Sequence, residues 1–180
     1  MHHAMVRYIN CSPLFYISIQ TLPMNTPTQP LSLFMPVLPG TTMRAILTAQ
    51  AAGSAQAKQA LASIGTVHFA RFLLLDTSKP NLQPDMANLD VPSSTLVMAV
   101  LTDYDGDFDA YISDFVTQLG EVFNTNLQFV VGGAAVIPVQ NNVAGFNAFI
   151  KANDASQHNP NTGMYAAYPQ TVQQVVAAFS

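Results

Sequence analysis

Hydrophobic positions along this chain follow two rhythms in turn, a period of two and a period near 3.6, and their succession predicts its elements. Leu31-Ser32-Leu33-Phe34-Met35 reads as a short strand, which Pro36 ends or bulges because proline lacks the amide hydrogen a sheet ladder needs. Pro39-Gly40 is then a turn. Thr41 or Thr42 caps a helix whose apolar positions Met43, Ile46, Leu47, Ala57, Leu61 and Ile64 keep helical spacing, with Gly53-Ser54 as a point of division and Gly65 suited to the C-terminal turn. Thr66 to Leu75 is a second strand, with Val67, Phe69, Arg71, Leu73, Leu75 on one face and Thr66, His68, Ala70, Phe72, Leu74 on the other. Thr95 to Leu101 is a third. Both faces of these two strands are largely apolar.

Between them, Asp76 to Ser94 carries Pro80, Pro84 and Pro92 and no period, so it reads as a long loop. Asp107 caps the best-marked helix, whose stripe Phe108, Ile112, Phe115, Leu119, Val122, Phe123 obeys the i, i+3, i+4 rule. Leu127 to Gln140 reads as an irregular insertion turning at Gly132-Gly133, and Asn142 to Asn153 as a short helix presenting Phe146, Phe149 and Ile150. A fourth strand is expected at Thr162–Tyr168, and a last helix capped by Thr171 with Val172, Val175, Val176 and Phe179.

The order β-α-β-β-α-β with an added terminal helix predicts an α+β protein of the ferredoxin-like, split βαβ arrangement. Its helices cover only one face of the sheet. Strands apolar on both faces therefore need a second covering layer, and a symmetric copy is the simplest one, giving a homodimer through the helix-free face and a dimeric α+β barrel. The interface should take one alternating set, either Phe69, Arg71 and Leu73 or His68, Ala70 and Phe72. Arg71 marks its set as the one facing the other sheet, because a charge is costly to seal under a helix.

Composition narrows the picture. Of 180 residues 49% are hydrophobic and only 9% charged, so much of the surface is neutral or covered. Six Lys plus Arg against ten Asp plus Glu, a net charge of −4 and no basic run argue against a nucleic-acid partner. A single cysteine, Cys11, excludes an internal disulfide and multi-cysteine metal sites. Arg7 precedes the apolar run Leu14-Phe15-Tyr16-Ile17, but Pro13, Gln20 and Pro23 interrupt it and no small-x-small cleavage site follows. Residues 1–30 are thus expected to be a tail, with Met24 as the functional start, and 31–180 one cytoplasmic domain without a membrane span.

Candidate chemistry centres on the second and third strands. If Leu75 stands opposite Leu96, His68 falls opposite Asp103 and Arg71 opposite Val100. Asp103 then orients His68 as a general base, with Arg71 or Tyr104 steadying an anionic substrate. In the plainer reading His68 is a hydrogen-bonded core histidine and Arg71 pairs with an acid across the interface. The run Asp103-x-Asp105-Gly106-Asp107-x-Asp109 suggests a calcium loop, but Phe108 stands where that loop needs glycine and Asp114 where it needs glutamate, so helix capping explains the acids better. His158, in Ser156-Gln157-His158-Asn159-Pro160, is a candidate haem ligand, and no metal site is expected. Gly132-Gly133 lacks the Lys and Ser or Thr of a phosphate loop.

Thr66-Val67-His68-Phe69-Ala70-Arg71-Phe72, Asp103-Tyr104-Asp105-Gly106 and Tyr165-Ala166-Ala167-Tyr168-Pro169 with Thr171-Val172 resemble, in this order, a family of ferredoxin-like dimeric α+β-barrel proteins. The resemblance spans about Leu31 to Phe179. Its wider superfamily includes dye-decolourising haem peroxidases, small monooxygenases and lactone isomerases, so it implies a fold more firmly than a reaction. Val130-Val131-Gly132-Gly133 offers no histidine or cysteine where a haem relative would carry its ligand. The expected function is a homodimer binding a small apolar or aromatic molecule between sheet and helices, with no cofactor. The alternatives are a cofactor-independent monooxygenase or isomerase using His68, Arg71, Asp103 and Tyr104, or a haem peroxidase relative using His158.

Overall fold

The computed structural model describes residues 28–158 and 170–179, the side chains of 157 and 158 excepted. In chain order the elements are β1 (Thr28–Pro36), β2 (Thr41–Thr42), α1 (Met43–Ile64), β3 (Val67–Asp76), β4 (Pro92–Ser93), β5 (Leu96–Asp105), α2 (Phe108–Leu127), two 3-10 turns (Gly133–Val136 and Val139–Asn141), α3 (Val143–Asn153), α4 (Ala155–His158) and α5 (Val172–Ala177). The protein is α+β. The expected fourth strand at Thr162–Tyr168 lies outside the described residues, as does the expected tail up to residue 27.

β1 starts earlier than expected, and the prolines explain why it can. It pairs antiparallel with β5 from Thr28 opposite Asp105 to Pro36 opposite Val97. The carbonyls of Pro30 and Pro36 bond away from β5, to Ser156 and Val131, so the missing N–H of each faces the outer edge, where a ladder loses nothing. That edge is closed by side chain and loop. The buried Asp154 carboxylate accepts the Ser32 amide at 3.0 Å, and the Val131 amide bonds the Pro36 carbonyl at 2.9 Å.

α1 runs unbroken from Thr42, whose hydroxyl accepts the Ala45 amide, to Gly65 at φ 68°. Gly53 does not divide it. A Cβ there would come within 3.2 Å of Val122 Cγ1, so the glycine allows α1 and α2 to approach. Asp107 caps α2 by accepting the amides of Asp109 and Ala110, and α2 buries Tyr111, Ile112, Phe115, Val116 and Leu119. Full burial of each such side chain contributes on the order of 1.5–3 kcal/mol. A run of ring contacts, Tyr104–Tyr111 at 4.0 Å, Tyr111–Phe115 at 4.4 Å and Phe123–Phe146 at 5.1 Å, extends from β5 through α2 to α3. The turn after α2 closes tightly because Gly132 takes φ 77° and a side chain on Gly133 would strike the Leu127 carbonyl.

The three long strands form one antiparallel sheet in the order β1-β5-β3. Here the expected register is corrected. Leu75 lies opposite Val97 rather than Leu96, and Arg71 opposite Leu101 rather than Val100. The strand is longer than the apolar pattern suggests because Asp76 joins it. Its carboxylate accepts the Ser78 amide and the hydroxyls of Ser78 and Thr95, which ties the two strand ends together. At the other end a bulge between Val67 and Phe69 puts Phe69, not His68, opposite Asp103.

Backbone bonds and one ion pair organise the loop that has no period. Asp76 N bonds the Leu82 carbonyl, β4 pairs with β2, and Arg44 reaches Asp90 at 2.5 and 2.8 Å.

Alternation sends Leu31, Leu33, Met35, Met98, Val100, Thr102, Tyr104, Phe72 and Leu74 toward the helices. Ser32, Phe34, Val97, Ala99, Leu101, Asp103, Phe69, Arg71, Leu73 and Leu75 point the other way. None of this second set belongs to the core cluster beneath the helices; Ala99 is fully buried, whereas Phe34 and Phe69 stand 41% and 46% exposed.

Candidate functional site

His68 owes its environment to the bulge. The extra residue turns its imidazole to the end of the sheet, where Nε2 lies 2.9 Å from Asp105 Oδ1 and 3.3 Å from Thr28 Oγ1. Thr28 also donates to Asp105 Oδ1 at 3.1 Å, and the other carboxylate oxygen accepts the Val172 amide at 2.7 Å. The side chains of His68 and Asp105 are each 6% exposed. One carboxylate therefore gathers the start of β1, the bulge of β3 and the first turn of α5. Outside it lies an open groove of about 740 Å³, lined by Leu61, Val67, His68, Val172 and Val176.

The four residues expected to share a site are divided. Arg71 and Asp103 sit on the helix-free face, two rungs apart along the β3–β5 ladder. Tyr104 points the opposite way into the core, 3% exposed and stacked on Tyr111. Burial, together with the charges of Asp154, Asp107 and Asp109, pushes its hydroxyl up to about 12, so it stays protonated at neutral pH. Burial raises the Tyr111 hydroxyl further still. His68 meets Asp105 instead of Asp103.

The remaining acids of the run have separate tasks. Asp107 caps α2, while Asp109 reaches Asn147 at 2.7 Å and Lys151 at 3.1 Å on α3, and these two hold its carboxyl below the usual carboxylate range.

The second feature is apolar. Between sheet and helices lies a cavity of about 50 Å³ walled by Leu33, Met98, Val100, Phe115, Phe146 and Ile150 among others. Beside it a groove of about 300 Å³ runs between α1 and the edge strand β3, along Gly53, Ala57, Leu61, Ala70 and Phe72. Ala70, Phe72, Val122 and Asn126 line both spaces. Phe72 is 42% exposed although it belongs to the helix-facing set, because among the described residues β3 ends the sheet and α1 does not fully roof it. The small side chains of Gly53, Ser54 and Ala57 on α1 are what leave the groove open.

Sequence reasoning missed Thr28, Asp105, Asp154 and Gln50. Asp105 was hidden among acids with a capping explanation, and Thr28 among the prolines of the tail. Asp154 followed a helix and carried no pattern of its own, although Asp-x-Ser is a signal for the Ser156 amide and hydroxyl bonds it accepts.

The haem expectation rests on His158, whose side chain lies outside the described residues. His68 is the one histidine whose side chain is described, and its Nε2 is engaged by Asp105 and Thr28. No helix among the described residues is long and apolar enough to cross a membrane. Comparisons with protein-family models, with curated proteins and with solved structures found no match to this chain.

Proposed function

We propose that this protein binds a small apolar or aromatic molecule between its sheet and its helices. The observation that carries this reading is the groove of about 300 Å³ between α1 and β3, continuous in its lining with the apolar cavity behind Phe72. Its volume is at the lower end of the range for small-molecule sites, and its walls are mostly hydrocarbon with a few polar groups. Titration with 2-ethylnaphthalene, followed by its fluorescence anisotropy, tests the reading. Saturable one-to-one binding is expected, weakened at least tenfold by Ala57→Phe or by Ser54→Trp, which fill the groove from α1. Absence of saturation, or binding indifferent to both variants, would overturn it.

The helix-free face favours a second part of the reading, a homodimer of the ferredoxin-like barrel type. The order β1-β5-β3 with α1 crossing between β1 and β3 and α2 following β5 supports that arrangement. Charge placement supports a second copy as the covering layer. Arg71 lies opposite Leu101 and Phe69 opposite Asp103, so a two-fold axis passing close to this pair of rungs would bring the Arg71 of each copy toward the Asp103 of the other. Sedimentation at tens of micromolar protein should give a dimer, and Leu73→Asp should give monomers or aggregates. A monomeric wild type, or an intact Leu73→Asp dimer, would show that this face is not the interface.

A further inference from the structure

We infer that the groove between α1 and β3 selects an aromatic molecule carrying a hydrogen-bond acceptor, such as an aryl carbonyl, and that Gln50 is the residue that recognises it. The inference rests on the small-molecule reading above and adds the chemistry of the ligand.

Gln50 lies one turn beyond Ile46 on the inward side of α1, and Ile46 is fully buried. An amide in that stripe is a departure from the pattern of Met43, Ile46, Ala57 and Leu61. Its Nε2 is buried and has no hydrogen-bond partner among the described residues. Folding has therefore removed a strong donor from water without replacing the bond, a condition that native interiors rarely tolerate without a reason.

The other polar side chains on the groove narrow the choice of donor. Ser54 Oγ donates to the Ala51 carbonyl at 3.0 Å, and Asn126 Nδ2 donates to the Val122 carbonyl at 2.7 Å. Lys58 is exposed at the mouth, where water competes for its charge. Gln50 is left as the donor whose bond only an incoming molecule supplies. The terminal torsion of a glutamine is broad, so the amide turns toward an acceptor without rearrangement of α1. Facing it across the groove are Ala70 and Phe72, a small residue that leaves room for a ring and an aromatic one that stacks against it. A site built to donate a hydrogen bond discriminates strongly against the isostere that cannot accept it.

Three naphthalenes of matched size separate the outcomes: 2-ethylnaphthalene, 2-acetylnaphthalene and 2-naphthol, each titrated against the wild type and against Gln50→Met and Gln50→Leu. Both variants remove the unpaired amide and keep the bulk, and circular dichroism checks that they fold. The expected result is a ratio of the ethyl to the acetyl dissociation constant that falls about tenfold in both variants, while 2-ethylnaphthalene binds all three proteins alike. If 2-ethylnaphthalene binds and the ratio does not move, the Gln50 inference is overturned and the small-molecule reading stands. If the Gln50-dependent gain belongs to 2-naphthol and not to 2-acetylnaphthalene, the site does not select the stronger acceptor and the inference is again overturned. If none of the three binds, the reading beneath it fails as well.

Discussion

The two faces of the central sheet are nearly equal in hydrocarbon and opposite in fate. Toward the helices, Leu31, Leu33, Met35 and Met98 are each at most 5% exposed beneath α2 and α3. On the other side Phe34, Phe69, Leu73 and Leu101 belong to no core cluster, and Arg71 stands among them. Alternation alone does not tell the faces apart, because both alternate sets of β3 and β5 are apolar. What distinguishes them is the position of one arginine and the side of the sheet on which the helices pack. A strand's pattern therefore reports how much must be covered, and the connections report which half the chain covers itself.

The largest effect expected from this contrast is in the cost of cavities. Phe146→Ala, at a ring 1% exposed under the covered face, should lose about 3–5 kcal/mol in urea unfolding. Phe34→Ala on the open face should lose less than about 1 kcal/mol when measured at high dilution. Equal losses would mean that the open face is covered by the chain itself.

A middle-sized effect belongs to the seam where the faces meet. Asp105→Ala leaves the Val172 amide and the His68 imidazole without that acceptor, at about 1–3 kcal/mol for each. Hydrogen exchange should show the loss first at Val172 and at β3, with the α2 amides following only at global unfolding. Uniform exchange across all three segments would show that the carboxylate is not a local tie.

The smallest effect contrasts two charges, one from each face. Asp76 is held below the usual carboxylate range, first by the Ser78 hydroxyl, then by the Thr95 hydroxyl and the Ser78 amide. A folded value below the unfolded one stabilises fully above about pH 4 and is lost as pH falls through the folded value. Asp76→Asn should therefore flatten the loss of stability between about pH 4 and 2. Arg71→Gln should leave the stability of the monomer unchanged across the same range. A steeper acid slope for Asp76→Asn would reverse the sign assigned to that carboxylate.

Much of the fold was legible, and the places where legibility failed share a cause. The α2 stripe and its Asp107 cap were readable because both signals are local, and so were α1, the short helix α3 and the doubly apolar strands. The register was misread by one residue because Asp76, a polar residue, extends β3 through hydroxyl partners rather than through hydrocarbon. The bulge at His68 compounded this, and a histidine expected beside Asp103 met Asp105 instead. Long-range polar contacts leave no period in a sequence. Asp105 and Asp154 are buried carboxylates whose partners come from distant segments, and nothing around either residue announces that. The groove was anticipated only as a space between sheet and helices. Its polar occupant, Gln50, gave no signal, because a single amide in an apolar stripe does not disturb the helical period.

The Asp105 carboxylate has a further consequence for how the molecule is threaded. Its oxygens receive Thr28 from 77 positions earlier and Val172 from 67 positions later, so two long loops are cinched at one point. The entropy of closing a loop grows only with the logarithm of its length, so two such closures cost little more than two short ones once the sheet has brought the strands together. The order of events matters more than their cost. The β3–β5 ladder and α2 join segments closer in sequence than β1 and β5 are, so they are expected to form before the contacts at Asp105 close. That carboxylate is placed as a drawstring: its release is expected to free a strand end and a helix together while the aromatic spine behind it stays packed.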